Sequence, residues 1–326
     1  MTALDIAWAR RPSNAVARLE GKELLVLSVR ELLLAAAREQ MLLVSFIAVT
    51  PAAMAGFTRA ARDAGAPLLL VRPSGAADEK GPEEARDDTA FAQSAFAAAA
   101  DLRFAGPMAL LKDPPRAGSA VSDQERVQRE IDTGFTGVSL AAADTQAEAR
   151  DAALAATAVC QMELGLEIVP LGGATAATEL ARQLKSRGAP PSAVRITGLE
   201  DEAQQIALDM QPGTLLSSAT EQLAPDLLGL GVQQLVASGP FLRALRRAAP
   251  EETWALLQAW ADEKGATLEH AAARHQRQLR DLPGPAQEKL EALCCFEALD
   301  LFKRTGARNT GQRLVESIAS AHAGDD

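Results

Sequence analysis

Lys112 is the one lysine on a predicted strand of this chain, and Asp113 follows it directly. A lysine stripped of water loses its proton readily and can form a Schiff base with a carbonyl substrate, so this pair is the sharpest candidate for covalent chemistry. The plain alternative is that Lys112 points outward, or lies beside Asp113 as an ion pair on a rim, since charged side chains usually stay solvated. Glu167 is a second candidate. It is either a site carboxylate or the buried partner of an arginine such as Arg195. Metal chemistry of the imidazole kind has little to draw on. The only histidines are His270, His275 and His322, all near the C-terminus. His270 and His275 stand five apart, a poor spacing for one ligand on a helix face, and read as solvent-facing or capping residues. Cys160, Cys294 and Cys295 have no metal spacing and suit a reducing compartment. No tyrosine exists to serve as acid or base.

Anion binding has its own candidates. Gly172-Gly173, Ser217-Ser218-Ala219-Thr220 and Ser238-Gly239-Pro240 each follow a predicted strand, where backbone N–H groups at a helix start can hold phosphate. The glycine pair lets backbone approach a ligand closely. The competing use of Ser218, Thr220 and Ser238 is helix capping.

These residues sit in a regular alternation of strands and helices. Helix Val29–Glu39 leads into strand Leu42–Ile47, and helix Pro51–Asp63, capped by Thr50, into strand Pro67–Val71. A polar loop, Pro73–Asp88, precedes helix Thr89–Ala100 and strand Met108–Leu111. Helix Asp123–Thr133, strand Gly137–Leu140, helix Thr145–Glu163 and strand Leu166–Val169 follow. Then come helix Ala174–Ser186, strand Ala193–Ile196, helix Leu199–Met210, strand Thr214–Leu216, helix Glu221–Leu228, strand Val232–Val236 and helix Pro240–Ala248. Eight units in about 210 residues predict an α/β fold, a (β/α)8 TIM barrel, whose size is typically ~250 residues. An open doubly wound sheet would want a glycine-rich turn after the first strand. That segment reads Ala48-Val49-Thr50-Pro51. The closed barrel is therefore expected over residues 1–249. Residues 250–326 form a helical extension, with helices expected over 251–263, 267–280, 285–303 and 308–320. It is expected to pack on the barrel or on a partner, with Trp254 and Trp260 in the core or one of them free for a contact.

Composition narrows the function classes. Of 326 residues, 48% are hydrophobic and 23% charged, as in a folded globular protein. A net charge of −10 argues against nucleic acid and anionic membrane as partners, which need a basic surface. No stretch reads as a signal peptide or membrane span, so a cytoplasmic location is expected.

Several segments, in order along most of the chain, resemble the class II fructose- and tagatose-bisphosphate aldolases. They include "LLVSFI", "AAMAGFTRAARDAGAPLLLV", "EIDTGFTGVSLAA", "LGLEIVPLGG", "LGVQQLVASGPFLRAL" and "EALDLFKRTGA". "VPLGG" and "SGPFLRALRRA" resemble the non-catalytic subunit of bacterial tagatose-bisphosphate aldolase more than the catalytic enzymes. The resemblance implies a TIM barrel and a site in which three histidines hold zinc while an aspartate handles the proton. Asp113 matches that aspartate, but Pro114 stands at a metal-histidine position. On the seventh strand, Leu216-Ser217-Ser218-Ala219 replaces a His-Gly-Gly-type turn. The implied function is a non-catalytic subunit or scaffold acting through protein partners or self-association, without metal or cofactor. Two alternatives stand: a metal-independent aldehyde-lyase using Lys112 and Asp113, and a sugar-phosphate sensor.

Overall fold

A computed structural model describes residues 2–74, 82–114, 122–142, 146–170, 174–196, 215–218, 227–229 and 231–323. Eight parallel strands close into a barrel in chain order. They are β1 (Leu43–Ile47), β2 (Leu68–Arg72), β3 (Met108–Lys112), β4 (Gly137–Ala141), β5 (Gly165–Val169), β6 (Ala193–Ile196), β7 (Leu215–Ser218) and β8 (Val232–Ala237). β8 pairs with β1, with Leu43 opposite Gln234. The TIM barrel expected from the alternation is the fold.

Two short helices open the chain, α1 (Ala3–Ala9) and α2 (Ser13–Val16), and neither is anticipated by the sequence reading. α3 (Val29–Arg38) closes the N-terminal end of the barrel. A Cβ at Gly137 or Gly165 would lie 2.6 Å from Val29, so β4 and β5 admit this helix only because both positions lack a side chain. Outer helices α4 (Pro51–Ala64), α5 (Pro82–Asp101), α6 (Asp123–Thr133), α7 (Gln146–Gln161) and α8 (Ala174–Ser186) follow successive strands. α4 shows how local sequence sets an element. Thr50 accepts from the Ala53 N–H, Pro51 occupies the first turn, and Gly65 ends the helix at φ 60°.

Strand parity divides the core in two. Val44, Phe46, Leu68, Leu70, Met108 and Leu110 pack beneath the outer helices, where Phe46 stacks on Phe57 at 4.6 Å between ring centres. Leu43, Ile47, Leu69, Val71, Ala109 and Leu111 face the lumen, packed with Val29, Leu32 and Leu33 of α3.

After β8 come α9 (Gly239–Ala248), α10 (Glu251–Lys264), α11 (Leu268–Arg274), α12 (Gln276–Arg280), α13 (Gly284–Arg304) and α14 (Gly311–His322). α13 lies along α4 and also contacts α9, while α14 packs on α1 and α3. Among the described residues, no helix is long and apolar enough to cross a membrane.

The expected boundaries need four corrections. The polar loop Pro73–Asp88 is shorter than expected, because α5 begins at Pro82. Proline suits a first helical turn, where its missing N–H costs nothing. The single helix expected over 267–280 is two, parted at His275. β3 includes Lys112, and β7 runs to Ser218 rather than ending at Leu216. Helix Leu199–Met210 lies outside the described residues, as does Glu221–Leu228 except for Leu227 and Leu228, which form a turn.

Candidate functional site

Two buried charge networks flank the barrel wall near the C-terminal ends of the strands, and Lys112 and Asp113 belong to different ones. Successive residues on a strand face opposite ways. Lys112 follows the parity of Met108 and Leu110 and turns outward beneath the helices. Asp113 follows that of Ala109 and Leu111 and turns to the lumen. The candidate pair is therefore not brought together.

Lys112 is fully buried, and its Nζ donates to both carboxylate oxygens of Asp88 on α5, each at 2.7 Å. Arg72, beside Lys112 in the β2–β3 register, also donates to Asp88. Its Nη1 reaches Gln276 of α12 at 3.3 Å, which ties the C-terminal helices to the barrel rim. Burial alone would raise the Asp88 carboxyl. Lys112 and Arg72 outweigh it and hold the group below its ordinary range. The outward orientation of Lys112 is the plain alternative weighed from sequence, but the lysine is dry and its partner is Asp88.

The outer network continues onto α6. Arg126 donates to Glu130 at 2.7 Å and to Asp123 at 2.8 Å. Glu130 is 1% exposed, and its Oε2 has no hydrogen-bond partner. Burial raises its carboxyl to about 7, against the opposing pull of Arg126 and Lys112 and with a further push from Asp88. The folded value lies above the ordinary one, so this group's stabilising contribution is full below about 4.5 and is lost as pH rises through about 7. Denaturation midpoints should fall across that window, and Glu130→Gln should flatten the fall. An unchanged slope in the variant would assign the pH dependence to other groups.

The lumen network joins three strands. Arg195 of β6 donates to Glu167 of β5 through Nε, at 3.2 Å, and through Nη2. Nη2 also lies 2.8 Å from Oδ1 of Asp113 at the end of β3. β4 and β5 stand between β3 and β6, so this contact spans the barrel mouth. It is a short, buried ionic contact. Ser139 of β4 donates to Glu167 Oε2 at 2.9 Å. Burial would lower the Arg195 guanidinium, but Asp113 and Glu167 outweigh it and raise it. Of the two alternatives weighed for Glu167, the contact present is the one with Arg195: a buried partner on the lumen face of β5.

The histidines lie elsewhere. His270 Nδ1 is 2.7 Å from Thr267 Oγ1 at the start of α11. His275 meets the half-buried Trp260 edge-on at 6.1 Å, and His322 Nε2 is 3.2 Å from Glu31 on α3. Trp254 is buried, 8% exposed. Among the described residues, no group of three or more His, Cys, Asp or Glu could hold a metal ion. The zinc that the aldolase resemblance implies is not suited by the described lumen set. That set has no imidazole, and its two carboxylates already hold a guanidinium that a dication would have to displace.

Of the phosphate candidates, Gly172, Gly173 and Thr220 lie outside the described residues. The backbone places Ser217 and Ser218 on β7. Ser238 precedes α9, which starts at Gly239, and its side chain makes no capping bond.

Solved structures with the same architecture include the YdjI aldolase from Escherichia coli K12, at 12% identity and a TM-score of 0.61. The match covers 88% of this chain and 99% of that one. The fructose-bisphosphate aldolase from Campylobacter jejuni is similar at 11% identity and a TM-score of 0.58, over 87% of this chain and 96% of that one. The fold is shared with these aldolases. No family model matches the chain, and no curated protein matches it. The sequence resemblance is thus met in the fold, while the chain differs from these two proteins at nearly nine positions in ten.

The sequence reading missed Arg72, Asp88, Arg126 and Glu130 in the outer network, and Ser45, Ser139 and Gln234 in the lumen. Parity could have found the last three. Each is polar and shares its strand face with apolar lumen residues such as Leu43, Ile47 and Val236.

Proposed function

We propose that the protein is a non-catalytic barrel of the class II aldolase type, a cytoplasmic subunit or scaffold that acts through protein partners or self-association. The observation that carries this reading is the engagement of both lumen carboxylates, Asp113 and Glu167, by Arg195. A proton-handling aspartate needs a free carboxylate near its substrate, and a Lewis acid needs ligands converging on one point. Lys112 adds no electrophile-trapping amine to the mouth, since it is turned outward and bound to Asp88.

The purified protein should cleave neither fructose- nor tagatose-bisphosphate, with or without added zinc. Borohydride with carbonyl substrates should trap no adduct at Lys112. Cleavage that a chelator abolishes, or an adduct lost in Lys112→Ala, would overturn the reading.

A further inference from the structure

A cleft of about 570 Å³ opens at the N-terminal end of the barrel, away from Lys112 and Asp113. Gly65 and Ala66 reach it just before β2, and Gly106 and Pro107 just before β3. α1, the end of α4 and the start of α14 supply the rest of its wall. Two backbone bonds fix that wall. Asn309 N–H donates to the Ala64 oxygen at 2.8 Å, and Gly311 N–H to the Gly65 oxygen at 2.9 Å. The cleft is therefore built into the fold, and its volume lies within the ~300–1,000 Å³ usual for small-ligand pockets.

Leu4, Phe104, Pro107 and Val315 give it apolar walls, and Leu4 is left 48% exposed. Three charged residues share the lining. Arg62 Nη2 donates to Asp63 at 2.9 Å, and Glu316 accepts from Gln312 Nε2 at 2.8 Å. Arg103 differs: it is exposed, and its side chain has no hydrogen-bond or ion-pair partner among the described residues. The chain beside it has the same sign. Residues 301–315, which bring Asn309, Gly311, Gln312 and Val315 to the wall, hold four cations and no acid in a chain of net charge −10. Arg304 and Arg313 meet Asp300 and Glu39, but Lys303 and Arg308 have no acidic partner among the described residues.

From this cleft we infer that the protein binds a small amphipathic carboxylate, an apolar chain or ring ending in one carboxylate that Arg103 holds. The apolar body leaves water for Leu4, Phe104 and Val315, and the guanidinium fork suits a carboxylate. An amine of the same shape meets a cation where it needs an anion, and inorganic phosphate has no apolar surface to bury. Barrel chemistry belongs to the opposite, C-terminal face, so this is a site for binding rather than turnover. The inference does not depend on the non-catalytic reading, which the cleavage assay tests separately.

Titration calorimetry with octanoate, 3-phenylpropionate, octylammonium and inorganic phosphate at fixed ionic strength tests it. At least one of the two carboxylates should bind once per chain, and at about 100 Kd should raise the melting temperature by roughly 5 °C. Octylammonium and phosphate should not bind in the same concentration range. Hydrogen exchange should slow over residues 102–107 and 309–316 in the bound state. Arg103→Gly should weaken the carboxylate at least ~10-fold through loss of a charge-assisted bond. It should melt no lower than the parent, because Arg103 sits at φ 50°, a left-handed conformation that glycine adopts without strain. Leu4→Ser, at a half-exposed position, should weaken binding at least ~3-fold by removing apolar wall. The inference is overturned if neither carboxylate binds, or if octylammonium binds as tightly. It is equally overturned if Arg103→Gly keeps full affinity or if the slowed exchange falls outside those two segments.

Discussion

Asp88→Ala is expected to destabilise the protein by roughly 3–5 kcal/mol, enough to lower its melting temperature by on the order of 10 °C. Asp88 is the shared counter-ion of Lys112 and Arg72, and all three side chains are almost wholly buried. Removing the carboxylate leaves two cations in a layer of Leu, Met and Phe side chains, with water shut out by α5. An uncompensated buried charge costs far more than the pair contributed in net terms. The damage should be local to the contact of β2 and β3 with α5, so hydrogen exchange should accelerate there first. The companion variant Asp88→Leu/Lys112→Met/Arg72→Met removes all three charges and should recover much of the loss. A loss below about 1 kcal/mol for Asp88→Ala would mean that water reaches these groups. Because the Asp88 carboxyl is held below its ordinary range, its contribution is full above that range and is lost as pH falls from there through the group's lower folded value. Its sign is opposite to that of Glu130 on the neighbouring helix.

Gly56→Ala should loosen the C-terminal helices from the barrel, at a cost of about 3 kcal/mol. A Cβ at Gly56 would stand 2.4 Å from the backbone oxygen of Glu291 and 2.8 Å from Cys294 Cβ. Neither atom is the end of a flexible chain, so α4 and α13 must separate. Those helices otherwise pack closely, with Phe302 of α13 edge-on to Phe46 at 5.3 Å. Protease cleavage within residues 284–323 should appear at lower temperature than in the parent protein. Gly284→Ala is the control, since nothing lies within 4 Å of its Cβ and its helical position favours alanine. Equal stability of the two variants would mean that α13 is held by contacts other than its approach to Gly56.

The two variants probe opposite kinds of information. α4 and α6 are legible residue by residue. Thr50 and Ser122 cap them, Gly65 and Gly134 end them in the left-handed conformation, and apolar residues line the inner face of α4, while α6 buries Val127 and Ile131 beside Arg126 and Glu130. Eight such units dictate a closed barrel because each strand and helix is specified by contacts within a few residues. The placement of all three histidines outside the predicted strands is likewise a property of the sequence. The site was legible only in part. Glu167 and Arg195 could be named as partners because charges on neighbouring strands near a rim seldom remain unpaired. Asp113 could not be added to them. It lies 82 positions before Arg195 in the chain, and only closure of the barrel brings their charges within 2.8 Å. Nor could Asp88 be assigned to Lys112 while residues 73–88 read as a loop.

What the sequence determined by itself is the order of elements, their caps, the apolar faces and the absence of histidine from the strands. The tertiary structure decided which face of β3 each of two adjacent residues occupies and what meets it there. It gave Lys112 to a helix and Asp113 to the lumen. The reason is physical: periodicity and capping are short-range and act along the chain, whereas the partner of a buried charge is whichever opposite charge the closed barrel brings within hydrogen-bonding distance.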